Sequence, residues 1–172
     1  MELTAAVARP TSEEAYAALF DGHFWGLVRL AYLLGADDPE DLVQEAFVRL
    51  HRRRSALRDP AAALTYVRTT VCNLTRNRIR HLLVARRRNA QLAAPESVPS
   101  AELQVTERES VRELLAAVDR LPGRQREALV LRYWLELSER ETADVLGIAV
   151  GTVKAHTARA IASLSATLEG YQ

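Results

Sequence analysis

The sequence predicts an all-α protein: two small helical units joined by a flexible linker. Three observations predict it. Apolar residues recur at three- and four-residue intervals, and no run alternates convincingly with period two. Only seven glycines and six prolines punctuate the 172 residues, which favours long helices over many turns. Between residues 89 and 106 the periodicity lapses into a stretch with Pro95, Pro99, several Ala and Ser, and no aromatics, the composition of a linker. The expected boundaries are a first unit over 11–88, the linker over 89–106 and a second unit over 107–170. Hydrophobic residues are 48% and charged residues 26%, ordinary globular values that exclude a mostly disordered chain.

Each helix carries its own start or stop signal. Thr11 and Glu14 form a capping box. Tyr16, Leu19, Phe20, His23, Leu27, Leu30, Ala31 and Leu34 then mark one apolar face, stopped by Gly35. Asp38 caps a second helix with Pro39 at its first position, and Leu42, Val43, Ala46, Phe47 and Leu50 are its apolar set. Asp59 and Pro60 repeat that signal, and Leu64, Val67, Val71, Leu74 and Ile79 carry the third helix onward. Periodicity resumes with Val105, Val111, Leu114, Leu115 and Val118, and Pro122 and Gly123 break it. Ala128, Leu129, Val130 and Tyr133 mark a further helix, Ser138 and Glu141 form a second capping box, and the last helix runs from about Val150 to Leu168. Trp25 and Trp134 are expected in the core or on a domain face.

The net charge of +1 conceals a strong asymmetry. Residues 1–48 hold two arginines against nine acids, −7; residues 49–88 hold twelve arginines against Asp59 alone, +11. Residues 89–110 carry −3, and the remainder balances. A forty-residue block at +11 inside a near-neutral chain is an electrostatic footprint.

Composition also excludes several classes. The one cysteine, Cys72, permits no intramolecular disulfide and suits a reducing, cytoplasmic setting; it is expected to be buried as a small apolar residue. Charge-free stretches reach nine residues at most, against the ~20 a membrane helix needs, so no membrane insertion is expected. No basic segment followed by an apolar core suggests a secretory signal. His23, His51, His81 and His156 are scattered, without a HExxH motif or Cys/His spacing, and there is no Gly-rich phosphate loop. The carboxylates Asp37, Asp38, Glu40 and Asp41 suit helix-start chemistry better than an acid/base pair. No enzyme activity, metal or cofactor is expected.

Three constellations remain. In the C-terminal helix pair, Ala143, Gly147 and Val153 stand at the spacing of a helix-turn-helix: a small residue where helices cross, a glycine for the tight turn, and an apolar residue packing back. Thr152, Lys154, His156 and Arg159 then face outward, as residues of a helix entering the major groove would. The alternative is a structural hairpin with a solvated polar face. In the third helix, YVRTTVCNLTRNRIRH interleaves Tyr66, Arg68, Asn73, Arg76, Arg78 and Arg80. Forked arginine donors suit phosphates, an amide reads a base edge, and unstacked bases sit on an aromatic. A solvated Arg-rich face, or an acidic protein partner, fits the same residues. In DLVQEAFVRL, Asp41, Gln44 and Glu45 share an acidic outer face. Physics alone favours an ordinary solvated helix face there, with docking of a basic partner as the other reading.

DLVQEAFVRL, YVRTTVCNLTRNRIRH and LPGRQREALVLRYWLELSERETADVLGIAVGTVKAHTARAIASL, in that order, resemble an extracytoplasmic-function sigma factor of bacterial RNA polymerase, most closely the actinobacterial SigE-type subgroup. The resemblance covers about residues 16–168 without the linker. It implies two helical domains, sigma-2 and sigma-4, that bind core RNA polymerase and promoter DNA and catalyse no reaction themselves. By this resemblance Asp41, Gln44 and Glu45 dock on the polymerase clamp. Tyr66, Arg68, Asn73, Arg76 and Arg80 fall in the segment that handles the minus-ten element and its opened strand. Thr152, Lys154, His156 and Arg159 fall in the helix that reads the minus-thirty-five element. An anti-sigma factor is a common partner in the family, and no stable homodimer is expected. Ala149 stands where relatives often carry a capping Ser, Ala155 replaces a frequent Ser, and the loop around Arg52 to Asp59 lacks a common Trp. The rival is a LuxR-type regulator that binds duplex promoters directly, because LSERETADVLGI and TVKAH occur there too; its effector or receiver domain has no counterpart in the first hundred residues. A helical adaptor is a second rival, which the +11 block and the helix-turn-helix disfavour.

Overall fold

A computed structural model of the chain describes residues 11–53, 59–89 and 107–169. Among these are seven helices and no strand: α1 (Ser12–Leu33), α2 (Pro39–Arg52), α3 (Pro60–Asn89), α4 (Glu107–Asp119), α5 (Gly123–Tyr133), α6 (Glu139–Leu146) and α7 (Val150–Glu169). The boundaries follow the local signals. Thr11 Oγ1 accepts from the Glu14 amide while the Glu14 carboxylate accepts from the Thr11 amide, closing the first capping box. Asp38 accepts from the Asp41 amide, and Asp59 from the amides of Ala61 and Ala62. Gly35 ends α1 at φ +91° and Gly147 ends α6 at φ +64°, the left-handed region where glycine has no Cβ penalty.

Helices α1, α2 and α3 pack on one another around Leu27, Leu30, Leu42, Phe47, Leu50 and Val67, each nearly or wholly inaccessible. Aromatic rings brace the far end: Phe20 stacks on Phe24 at 4.6 Å and meets Phe47 edge-on at 4.9 Å. In the C-terminal unit α5, α6 and α4 gather around α7. Leu121, Leu129 and Ala160 form a small separate cluster there.

The two units do not stand apart. Helix α3 packs on α6, and α1 touches α4 and α5. One apolar core runs from α1–α3 into Ala128, Val130, Leu131, Leu137, Val145 and Leu146 of the C-terminal unit. Burying a leucine such as Leu131 completely stabilises by roughly 2–3 kcal/mol, so this junction is substantial.

Several expectations change. Of the two places expected for Trp25 and Trp134, core or face, the structure excludes the core: 64% and 49% of their surfaces remain exposed. Tyr133, read as marking the apolar face of α5, is also exposed. Phe24, Val28 and Leu131 are buried although the pattern passed over them. Helix α3 includes Asn89, the first residue of the expected linker; residues 90–106, with Val105, lie outside the described residues, as does the segment 54–58.

Candidate functional site

Three faces carry the chemistry. On α2, Asp41, Gln44 and Glu45 are all exposed, brought together by i, i+3, i+4 spacing. Glu45 pairs with Arg49 one turn on, at 2.6 Å. Asp41 is approached by Arg78 of α3 at 3.5 Å, and Arg78 also reaches Asp37 at 3.1 Å. The acidic face therefore adjoins the basic block and is partly neutralised by it.

The second face is α3. Its inner stripe, Ala63, Val67 and Val71, fills the N-terminal core. Arg68, Cys72 and Arg76 follow one another at four-residue intervals on a neighbouring stripe. Arg76 does not project freely into solvent. Its Nε and Nη2 donate to the two carboxylate oxygens of Glu127 on α5, at 2.9 and 3.0 Å, and its Nη1 donates to Asn73 Oδ1 at 2.9 Å. Glu127 also accepts from Arg124 at 3.1 Å. Arg68 is half-buried; desolvation pulls its guanidinium down and the charge of Glu141 on α6 opposes that. It stays protonated regardless. His23 is likewise pulled down, first by burial and then by Arg68. Tyr66 is half-buried, with the Arg53 guanidinium 5.3 Å over its ring. Asn73 and Arg80 are exposed.

The third face belongs to α6 and α7. Ser138 and Glu141 close the second capping box, and their hydrogen bonds hold the exposed Glu141 carboxyl below its usual range. Arg132 donates to the Leu137 carbonyl and braces the approach to α6. Ala143 and Val153 are buried at the helix crossing, as their spacing requires. Thr152, Lys154 and Arg159 project into solvent; His156 is half-buried, and its Nδ1 is inaccessible without a partner. Lys154 lies 3.4 Å from Glu139, with both side chains exposed. Ala149 supplies only backbone at the start of α7, its carbonyl accepting from Thr152 and Val153.

The sequence reading missed Glu127, Arg124 and Arg126. Arg126 donates to the carbonyls of Val118 and Asp119, and reaches the Leu34 carbonyl at the C-terminus of α1 at 3.3 Å. A Cβ at Gly35 would lie 2.7 Å from its Nη1, so glycine there serves the junction as well as the turn. Arg29 of α1 sits 6.0 Å over the Trp134 ring. A signal for Glu127 was present: an acid at the head of the apolar run 128–131 of α5 requires a partner if it is buried. An apolar groove of about 610 Å³, lined by Val111, Leu114, Leu115, Tyr133, Trp134 and Ile161 among others, opens among α4, α5 and α7. Exposed apolar surface of that kind marks a protein-contact region.

Comparison with known proteins matches two regions of the chain. Residues 23–83 match the family profile described as Sigma-70 region 2, and residues 111–164 that described as Sigma-70, region 4. The RNA polymerase sigma-E factor of Streptomyces avermitilis is 36% identical over 147 residues, covering 83% of this chain and 79% of that one. The ECF RNA polymerase sigma factor SigM of Mycobacterium tuberculosis is 35% identical over 160 residues, covering 91% and 78%. Among solved structures, the sigma factor RpoE of Bartonella quintana, in complex with the anti-sigma factor NepR, superposes with a TM-score of 0.73 at 20% identity, over 90% of this chain and 96% of that one. CnrH in complex with the cytosolic domain of CnrY gives 0.64 at 25% identity, over 93% and 91%.

Proposed function

The chain belongs to the extracytoplasmic-function sigma factors, which direct bacterial RNA polymerase to promoters, and we propose that it divides that task among the three faces described. Asp41, Gln44 and Glu45 dock on core polymerase. Tyr66, Arg68, Asn73, Arg76 and Arg80 hold the opened minus-ten strand, with guanidinium forks on phosphates and the Asn73 amide toward a base. Thr152, Lys154, His156 and Arg159 read the minus-thirty-five duplex through the major groove. The working units are residues 11–88 and 107–170, with 89–106 between them. Two DNA sites and a polymerase site act together, so individually weak contacts gain from effective concentration.

The observation that supports this reading is that the two candidate faces differ in design. An exposed recognition helix suits duplex, and an α3 stripe of cations, amide and aromatic suits an unstacked strand. A LuxR-type regulator needs only the first. The protein contributes binding and positioning rather than a reaction of its own, and works in the cytoplasm without a cofactor. No described helix is long and apolar enough to cross a membrane. An anti-sigma factor, the class of partner with which the RpoE relative was solved, is proposed as a regulator.

Reconstitution with sigma-free actinobacterial core polymerase tests the reading. A stoichiometric complex with new, specific start sites on a genomic DNA library is expected. Asp41→Lys with Glu45→Lys lowers core affinity at least about tenfold, because like charges then meet across the contact, and leaves helicity intact. Unchanged core affinity in that variant contradicts the docking assignment. Sequence-specific duplex binding by the protein alone, without a core complex, would favour the LuxR-type regulator.

A further inference from the structure

The helix-turn-helix assigned to duplex DNA is not basic. Residues 136–168 hold Glu136, Glu139, Glu141 and Asp144 against Arg140, Lys154 and Arg159, a net charge of −1. A duplex reader ordinarily carries a basic patch, because neutralising phosphates supplies much of its affinity. All four acids precede α7, and none lies between Val145 and Leu168. Glu141 is turned back on the Ser138 amide, where it closes the capping box. Glu139 is used differently. It is the first residue of α6, and its Oε2 lies 3.4 Å from Lys154 Nζ on α7. Lys154 and Arg159 are the fixed cations of α7, so this one contact offsets half of the positive charge that the helix offers DNA.

The placement decides what the carboxylate acts on. In a helix-turn-helix the second helix enters the major groove and the first crosses the DNA backbone. Glu139 stands on the first helix and touches a candidate reader on the second. A phosphate is an anion, whereas the acceptors of a base edge, such as guanine O6 and N7, carry no net charge. A carboxylate within ion-pair distance of Lys154 therefore repels a phosphate that approaches the ammonium and leaves a base edge nearly unaffected.

We propose that Glu139 is a specificity-determining residue of the duplex reader: its carboxylate disfavours phosphate, and thereby favours a base edge, as the partner of Lys154. The proposal rests on the reading of Lys154 as a minus-thirty-five contact. Non-specific binding is essentially electrostatic, so it bears the larger loss, and discrimination rises although affinity for every duplex falls. An acid at the first position of a helix also complements the helix dipole. That structural role moves the unfolding midpoint and leaves the salt dependence of DNA binding alone.

The test has two readouts. The full chain is titrated with a fluorescent random-sequence duplex across salt concentration, and the reconstituted holoenzyme is offered promoter fragments with the upstream element of a mapped start site intact or scrambled. Glu139→Gln removes the charge and keeps the shape. At low salt it is expected to bind random duplex about five- to tenfold more tightly, with a slope of log affinity against log salt steeper by about 0.9, the increment of one phosphate contact. The preference of its holoenzyme for the intact element is expected to fall by about fivefold, because the gain goes to phosphate contacts that carry no sequence information. Glu139→Asp keeps the charge and is expected to keep the wild-type slope. An unchanged slope in Glu139→Gln, an unchanged preference, or a Glu139→Asp slope as steep as that of Glu139→Gln overturns the proposal. Lys154→Ala separates this failure from failure of the underlying reading. If it lowers the preference while Glu139→Gln changes neither readout, Lys154 remains a reader and the role of Glu139 falls. If it leaves the preference at the wild-type value, the assignment of Lys154 falls and takes the proposal with it.

Discussion

The two faces assigned to nucleic acid, on α7 and on α3, differ in how they are kept. On α7, Thr152, Lys154 and Arg159 stand in solvent, and the ion pair of Lys154 with Glu139 joins two exposed groups. Such a pair stabilises by about 0–1 kcal/mol and yields readily to DNA. On α3, Arg76 is pinned by a carboxylate that is itself buried, and removing one partner of a buried pair costs about 3–5 kcal/mol. The face assigned on α7 therefore stands free in solvent, whereas Arg76 on α3 is already bridged to a carboxylate of α5. A face built to attract phosphates also attracts the chain's own acids.

The comparison can be broken most directly at α7. Lys154→Ala with Arg159→Ala should weaken dependence on the minus-thirty-five element by about ten- to a hundredfold, because each base-reading side chain supplies roughly 1–3 kcal/mol of discrimination. Core affinity should stay unchanged. Transcription from paired promoters with and without that element measures it, and equal activity of the double variant at the intact promoter removes the role. A smaller effect sharpens the same contrast. Ala149→Ser adds a side-chain acceptor where α7 now begins on backbone alone. It should stabilise the C-terminal unit by ~1 kcal/mol, read as a raised unfolding midpoint, and improve upstream-element recognition without touching α3. A lowered midpoint would show that the serine does not cap α7.

Most of the helices were legible because their signals are local. Thr11 with Glu14, Asp38, Asp59, and Ser138 with Glu141 satisfy amides within three residues, so the sequence alone places them. Gly147 and the buried Ala143 and Val153 were legible for the same reason. The junction was not. Arg76 and Glu127 stand 51 residues apart, and nothing in local periodicity pairs them. The same gap explains the aromatics. Trp134 was expected in the core or on a face, and it lies on a face, at the end of α5 beneath Arg29. Arg76 was read as a candidate together with its neighbours Asn73 and Arg80. Its partner was legible only as an acid at the head of the apolar run of α5.

The division of labour between α3 and α7 is tested most directly by following opening of the minus-ten element with a fluorescent base in its non-template strand, using holoenzyme carrying Arg76→Ala. The account predicts that this holoenzyme still assembles and still binds upstream duplex, opens the duplex promoter at least about tenfold more weakly than wild type, and recovers when the bubble is supplied already open. Opening of the duplex promoter at the wild-type rate and extent would contradict it.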